Sequence, residues 1–222
     1  NIAKAAERVA KELGSAAAVV VADVSTAAGF TAIADEAFSA FGGLHILVNN
    51  AGVGHTPQPL EDVVEDVYDR VAVVNMKSIY FGARTVVPHF KKEKYGAILN
   101  VASSAGFQPL PNQATYGGTK AFMLHWSEAL HAELGGEGVA VTALCPGPVH
   151  TEFADTADIE GLFEKAPDFT VLSSAEVAKQ AIEGLEKGRR VVVPGFAWKV
   201  ATISGRYTPR AALLPMMNKF WR

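Results

Sequence analysis

The sequence is poor in cysteine, in long apolar runs and in metal-ligand spacings. Its 222 residues include one cysteine, Cys145, which excludes an intrachain disulfide and a Cys-only metal site. The longest uninterrupted apolar run, 16–22, is far shorter than the roughly 20 residues that a membrane-spanning helix needs. No His-Glu-x-x-His pattern occurs, and His125 and His131 lie off a shared helical face. We therefore expect a cytoplasmic protein with no metal site and no transmembrane segment.

Acidic residues are absent from the carboxyl-terminal part of the chain. From 187 to 222 there are eight Lys and Arg and no Asp or Glu, so the net charge of −3 combines an acidic body with a basic tail. Such a tail indicates either a solvated surface or oligomer contact, or an anionic partner such as a membrane surface or an acyl carrier. In the membrane interpretation the anchors are Phe196, Trp198 and Trp221. Basic residues of the body are not clustered with aromatic ones, so nucleic-acid binding is not expected.

Helix-period and strand-type segments alternate along the whole chain, which is 49% hydrophobic and long enough for one domain, 1–222. We expect helices over 5–13, 32–41, 61–90 (one short and one long), 113–134 and 175–187. Short apolar strands are expected over 17–22, 44–48, 97–102, 139–145 and 190–193. This alternation predicts an α/β fold in three layers, a doubly wound parallel sheet with helices on both faces. An irregular segment, 150–172, rich in Phe, is interpreted as a substrate lid, and 187–222 as a basic tail.

Polar and glycine-bearing turns follow the expected strands. In such sheets ligands bind outside the carboxyl ends of the strands. The turns begin at Asp23, Asn49, Ser103 and Pro146. Their convergence predicts a binding site at this edge of the sheet.

Tyr116 and Lys120 are four residues apart on an expected helix, so the phenol and the ammonium share a face. A cation beside a tyrosine favours the phenolate, which lowers the pKa and yields a general acid or base. Chance also produces such pairs, so the spacing alone is weak evidence. Ser103 follows a strand, where a hydroxyl can donate to a substrate oxygen or simply cap a turn, and Ser104 competes for either role.

Asparagine and aspartate at strand and helix positions have two interpretations each. Asn75 interrupts an apolar helix and holds either a kink or a water chain. Asp23 either accepts from a base amine or caps the next helix. The small residues of 49–52 allow a flat ring or ribose to approach the backbone. Cys145, at an apolar strand end, is interpreted as core rather than nucleophile.

In this order and spacing, these residues resemble the short-chain dehydrogenase/reductase family. The resemblance extends over essentially the whole chain: Asp23-Val24, Asn49-Asn50-Ala51-Gly52, Asn75, Ser103 with Gly106, Tyr116 and Lys120, and Pro146-Gly147-x-Val149-x-Thr151. It implies an NAD(P)-dependent oxidoreductase, a carbonyl reductase or the reverse dehydrogenase, on a Rossmann-type sheet.

The resemblance also implies a role for each residue. Tyr116 is expected to exchange a proton with the substrate oxygen, Ser103 to polarise that oxygen, and Lys120 to lower the tyrosine pKa and bind the nicotinamide ribose. Asn75 is expected to hold a water that relays protons towards Lys120. The expected cofactor contacts are Asp23 and Val24 at the adenine, Asn50, Ala51 and Gly52 near the ribose, and Pro146, Gly147, Val149 and Thr151 at the nicotinamide.

One departure from the family pattern is large. The family opens with a strand, a Gly-rich phosphate loop and a second strand, and Asn1 corresponds to a position just after them. We therefore expect the intact protein to be longer by roughly 30 residues. The residues that select NAD or NADP belong to that unit. NADP is favoured because 144–148, 151–153 and 189–195 resemble a reductase subgroup related to 3-oxoacyl reductases and hydroxysteroid dehydrogenases.

The substrate is expected to be an apolar ketone or alcohol, such as a 3-oxoacyl thioester or a steroid. That expectation rests on the lid side chains Phe153, Ile159, Leu162, Phe163 and Phe169. The resemblance implies a homodimer or homotetramer formed through the long helices that contain Asn75 and Tyr116. A different class of function, an NAD(P)-sensing or scaffold protein without turnover, remains the alternative, since a fold alone confers no activity.

Overall fold

The computed structural model describes residues 2–149, 151, 153, 167 and 170–220. The helices are α1 (Ile2–Leu13), α2 (Ala27–Phe41), α3 (Glu65–Ala72), α4 (Ser78–Glu93), α5 (Ala114–Leu134), α6 (Ser174–Glu186), α7 (Phe196–Tyr207) and α8 (Arg210–Phe220). The strands are β1 (Ile46–Asn49), β2 (Gly96–Val101), β3 (Val139–Leu144) and β4 (Val191–Val192). They pair in this order, all parallel, with Asn49 opposite Asn100 and Leu144 opposite Val192.

Helices cover both faces of the sheet, which confirms the expected three-layer α/β architecture. Ile98 and Val141 point to one face and pack with Phe30 of α2 and Phe90 of α4. Leu99 and Leu144 point to the other face and pack with Val177 and Ala181 of α6. Successive strand residues alternate between faces, so the continuous apolar runs of β2 and β3 supply both cores.

Helix α2 and the tail differ from the sequence expectation, whereas the segment 61–90 holds one short and one long helix as expected. The helix expected from residue 32 begins at Ala27, because the Thr26 hydroxyl caps it by accepting from the Gly29 amide at 3.1 Å. The segment 61–90 contains α3 and α4, joined without a break by a π-helical turn over Val73–Lys77. The tail beyond 195, expected only as a basic segment, forms α7 and α8.

The expected strand over 17–22 is wrong. This run joins no strand of the described sheet, in which β1 is an edge strand, and the Val21 side chain is 81% exposed. An apolar run specifies burial, whereas a strand also needs a neighbouring backbone to satisfy its N–H and C=O groups. No helix in the described ranges is both long enough and apolar enough to cross a membrane.

Candidate active site

The segments that follow β2 and β3 lie side by side at the carboxyl edge of the sheet. The amide of Ala102 donates to the Leu144 carbonyl, and the amide of Ser104 donates to the Pro146 carbonyl, both at 2.8 Å. These bonds extend the parallel pairing past the strand ends. The Ser103 segment and the Pro146 turn therefore form one continuous rim, as the sequence predicts.

Ser103 stands against Tyr116 because its segment packs directly on α5. A Cβ on Gly106 would lie only 2.6 Å from the Lys120 carbonyl, so glycine permits this close approach. The Ser103 hydroxyl accepts from the Ala105 amide at 3.1 Å, capping the short 3₁₀ turn 104–107, and its proximity to the Tyr116 side chain lowers the pKa of that phenol. Ser103 is thus both a cap and the hydroxyl next to the phenol.

Lys120 lies under Tyr116, as its four-residue spacing predicts. Its Nζ is 5.7 Å from the centre of the Tyr116 ring and donates to the Val101 carbonyl at 3.0 Å. The side chain is only 4% exposed. Burial penalises the charged amine and lowers its pKa to about 8.

The environment of Tyr116 differs from the sequence expectation. Burial raises the pKa of Tyr116 to about 12, and the hydrogen bond with Ser103 opposes that rise. Lys120 was expected to lower this pKa, but its ammonium faces the ring and the Val101 carbonyl, so desolvation of the phenolate dominates. At neutral pH the phenol therefore retains its proton.

Asn75 is fully buried in the π-helical turn between α3 and α4. Its Oδ1 accepts from the Val53 amide, and its Nδ2 donates to the Val53 carbonyl and to the Thr119 hydroxyl, each at 2.9 Å. The side chain thereby fastens the segment after β1 to α5. The π turn is a local bulge of the helix at Asn75. Thr119, which completes this bridge, was not singled out from the sequence.

Gly52 lies between the groups that surround the candidate cofactor position. A Cβ there would stand 3.4 Å from both Asn75 Oδ1 and Lys120 Nζ. Asn50 and Ala51 are exposed beside it. Asn49 instead points into the protein and donates to Asn100 Oδ1 at 2.7 Å, so the first residue of this turn belongs to the core.

Asp23 does not cap α2, since Thr26 does. Its carboxylate accepts from the Ser25 amide at 2.8 Å and from the Ser25 hydroxyl at 2.7 Å, and these bonds lower the pKa of Asp23. Val24 packs against the core beside α2 and α4. The cap interpretation of Asp23 is therefore wrong. The chain turns after Asp23, where the Thr26 hydroxyl donates to the Asp23 carbonyl, and Thr26 is the residue directly before the helix.

The Pro146 turn is held by α7, a contact that the sequence did not reveal. The Trp198 indole packs on Gly147, and its Nε1 donates to the Thr170 carbonyl at 2.8 Å. About two helical turns further, Gly205 packs against the Gln108 side chain, beyond the Ser103 segment. Helix α7 therefore contacts both sides of the rim. Its one sequence signal was the helix-length stretch between Gly195 and Pro209.

Two further expectations concern Cys145 and the lid. Cys145 is fully buried in an apolar cluster, and burial raises the pKa of its thiol to about 12, which confirms the core interpretation.

Val149 pairs with Leu172, and Thr151 is exposed nearby. The Phe153 ring lies 5.9 Å from that of Tyr116. The other apolar lid residues, Ile159, Leu162, Phe163 and Phe169, lie outside the described residues. Within the described ranges, no cluster of His, Cys, Asp and Glu suits a metal ion.

Comparison with known proteins points to one family. Residues 1–160 match the family model described as short chain dehydrogenase. The chain is 43% identical over 124 residues to 4-formylbenzenesulfonate dehydrogenase of Comamonas testosteroni, spanning 56% of this chain and 49% of that protein. It is 36% identical over 158 residues to a 3-alpha-(or 20-beta)-hydroxysteroid dehydrogenase of Mycobacterium bovis, spanning 71% and 60%. The chain thus spans about half to three-fifths of the length of these two relatives.

Solved structures show the same fold. The 3-ketoacyl-(acyl-carrier-protein) reductase of Brucella melitensis, solved with NADH, superposes with a TM-score of 0.80 at 34% identity, over 87% of this chain and 82% of that chain. Other matched structures contain NADP or NAD. The cofactors bound in these neighbours therefore do not agree on one form of the dinucleotide.

Proposed function

Because this chain belongs to the short-chain dehydrogenase family, we propose that it is an NAD(P)-dependent oxidoreductase that interconverts a ketone and a secondary alcohol. The observation that carries the proposal is the position of the Ser103 side chain, close enough to Tyr116 to lower the pKa of its phenol, with Lys120 one turn away from Tyr116 on the same helix. A phenol that keeps its proton at neutral pH, next to a second hydroxyl, suits protonation of a carbonyl oxygen.

In the direction of reduction, the Tyr116 hydroxyl donates its proton to the substrate oxygen. The Ser103 hydroxyl donates a hydrogen bond to the same oxygen and stabilises the negative charge that develops there. In the reverse direction Tyr116 accepts the proton of the alcohol. Lys120, whose pKa is about 8, exchanges protons close to neutral pH. Asn75 is proposed to act through Oδ1, with which a relaying water would bond, because its Nδ2 is committed to Val53 and Thr119.

The residues present fit a nicotinamide dinucleotide. The missing side chain of Gly52 leaves space beside Lys120 Nζ and Asn75 Oδ1, where ribose hydroxyls find a donor and an acceptor. When bound, the cofactor supplies or takes up the hydride. The residues proposed to hold it are Asp23, Val24, Asn50, Ala51, Gly52, Tyr116, Lys120, Pro146, Gly147, Val149 and Thr151.

NADP is the form that we propose, on the resemblance of 144–148, 151–153 and 189–195 to a reductase subgroup. The proposed substrate is an apolar ketone of the 3-oxoacyl or steroid type, because the Phe153 ring stands next to that of Tyr116. Comparing kcat/KM for NADPH and NADH, and for an apolar and a polar ketone, tests both assignments.

We also propose a cytoplasmic homodimer or homotetramer. Its contact would run along α4 and α5, which expose Tyr80 and Phe122. Light scattering of the wild type and of Tyr80→Asp measures the oligomeric state. A variant with the same mass as the wild type would place the subunit contact elsewhere.

The full-length protein with Tyr116→Phe tests the function. Turnover should fall by about 10²–10⁴-fold, because the general acid is lost, while NADPH binding measured by fluorescence should persist. Ser103→Ala should also slow turnover, whereas the matched controls Ser104→Ala and Tyr95→Phe should not. Unchanged turnover in Tyr116→Phe overturns the assigned role, and cofactor binding without turnover in the wild type favours the sensing alternative.

A further inference from the structure

The outward face of α7 is apolar. Phe196, Val200, Ile203 and Tyr207 follow one another at intervals of four, three and four residues, which places them in one stripe along the helix. Phe196 is 81% exposed and Tyr207 78% exposed, with the other two between 48% and 60%. Ordinary surface helices of globular proteins present the opposite pattern, with the apolar stripe turned inward.

The inward face of the same helix is fixed to the protein by other residues. Thr202 and Gly205 are buried, and Trp198 packs on Gly147 and bonds to Thr170. Trp198, expected from the sequence as a membrane anchor, therefore points away from the outer surface, and Trp221 lies outside the described residues. Because α7 is held by its inner face, nothing in the described part of the chain covers the apolar stripe.

Cations border this stripe. Lys199 and Arg206 are seven residues apart on α7, roughly 70–90° around the helix from the centre of the stripe, and both are exposed. Helix α8 also exposes Arg210, Lys219, Leu214 and Met216, but these residues lie on different sides of that helix. No acidic residue occurs from 187 onward, but Lys199 lines a groove together with Glu176 and Glu183 of α6. The surface of α7 thus combines an apolar stripe with a bordering cation, Arg206, and with Lys199 at the edge of that groove.

We propose that the outer surface of α7 binds an anionic lipid membrane. The apolar stripe would enter the headgroup and acyl boundary, and Lys199 and Arg206 would reach the lipid phosphates, an arrangement typical of helices that lie in the membrane interface. A second copy of this chain fits less well, since a two-fold contact would place these cations against their own copies. The proposal is independent of the reaction, because binding is measured without substrate or cofactor.

Flotation of the full-length protein with vesicles tests the proposal. The protein should float with vesicles of phosphatidylcholine and phosphatidylglycerol, and far less with phosphatidylcholine alone. Phe196→Ser/Ile203→Ser should weaken binding by tenfold or more, on the order expected when two apolar side chains no longer leave water. Lys199→Gln/Arg206→Gln should weaken it by about tenfold, and high salt should do the same.

Matched controls remove equivalent groups elsewhere. Ile182→Ser changes an isoleucine of similar exposure on α6, and Lys4→Gln/Lys11→Gln removes two exposed cations from α1, so both should float like the wild type. Circular dichroism confirms that each variant is folded. Absent flotation, or equal losses in the controls, overturns the proposal. So does a drop in mass of Phe196→Ser/Ile203→Ser by light scattering, which would assign the face to a second copy.

Discussion

The indole ring of Trp198 lies directly on the backbone of Gly147, so close that a Cβ on Gly147 would stand 2.3 Å from the indole Cε2 and Nε1. Helix α7 and the turn after β3 therefore fit together only while residue 147 lacks a side chain. The same indole bonds to the Thr170 carbonyl, so Trp198 connects that turn with the chain segment just before α6.

Gly147→Ala should destabilise the protein and weaken cofactor binding. The added methyl group must displace the indole, an overpacking that costs about 1–3 kcal/mol. Because Gly147 lies in the proposed nicotinamide-binding turn, the Kd for NADPH should rise as well. Urea unfolding and cofactor titration measure the two effects.

The matched control is Gly135→Ala, since a Cβ at Gly135 meets nothing within 4 Å. Its stability should stay within about 0.5 kcal/mol of the wild type. In the double variant Gly147→Ala/Trp198→Leu the clash is relieved, so the two changes should be non-additive. A Gly147→Ala protein as stable as Gly135→Ala would contradict the steric account.

The sequence could bring together those candidate site residues whose relative positions follow from local spacing along the chain. Tyr116 and Lys120 are four residues apart, so they lie on the same face of α5. Ser103 follows β2, whose carboxyl end lies next to that face of the helix. Trp198 and Gly147 are 51 positions apart and meet only because α7 returns to the turn after β3. No local sequence pattern encodes that return. The run 17–22 was misassigned for a related reason: its composition resembles a strand, but strand formation depends on a pairing partner.

A buried polar chain links β1, β2 and α5 and yields a second prediction. Asn49 Nδ2 donates to Asn100 Oδ1 at 2.7 Å, Asn100 Nδ2 donates to Ser127 Oγ at 2.9 Å, and the Ser127 hydroxyl donates to the Met123 carbonyl at 2.6 Å. Asn100→Ala should lower the free energy of unfolding by about 2–4 kcal/mol, because it leaves the Asn49 amide buried without its acceptor.

The exposed Asn218→Ala serves as the control for Asn100→Ala and should change stability little. Asn49→Ala/Asn100→Ala should cost less than the sum of the two single changes, since both remove the same bond. Additive costs in chemical denaturation would show that the two amides do not act as a pair.

Lys120 should reduce stability at neutral pH even though it belongs to the proposed site. Its folded pKa of about 8 lies below the ordinary 10.5, so the folded state penalises the charged amine. Below pH 8 this penalty is fully present, and it fades as pH rises from 8 to 10.5, where the folded amine has lost its proton and the unfolded one has not. Between pH 8 and 10.5 the wild type should therefore become more stable relative to a variant without the amine.

Lys120→Met should accordingly be more stable than the wild type at pH 7. The pKa shift of Lys120 corresponds to a destabilisation of about 3 kcal/mol, which the substitution removes. Loss of the hydrogen bond to the Val101 carbonyl costs about 1 kcal/mol, so the net gain in the free energy of unfolding is about 2 kcal/mol. The gain should shrink at pH 9.5, and turnover should be lost at both pH values, the trade-off expected of a site residue. Urea unfolding of both proteins at pH 7 and 9.5 provides the measurement, with the exposed Lys4→Met as the control. A gain that does not depend on pH would show that packing of the methionine, rather than removal of a buried charge, is responsible.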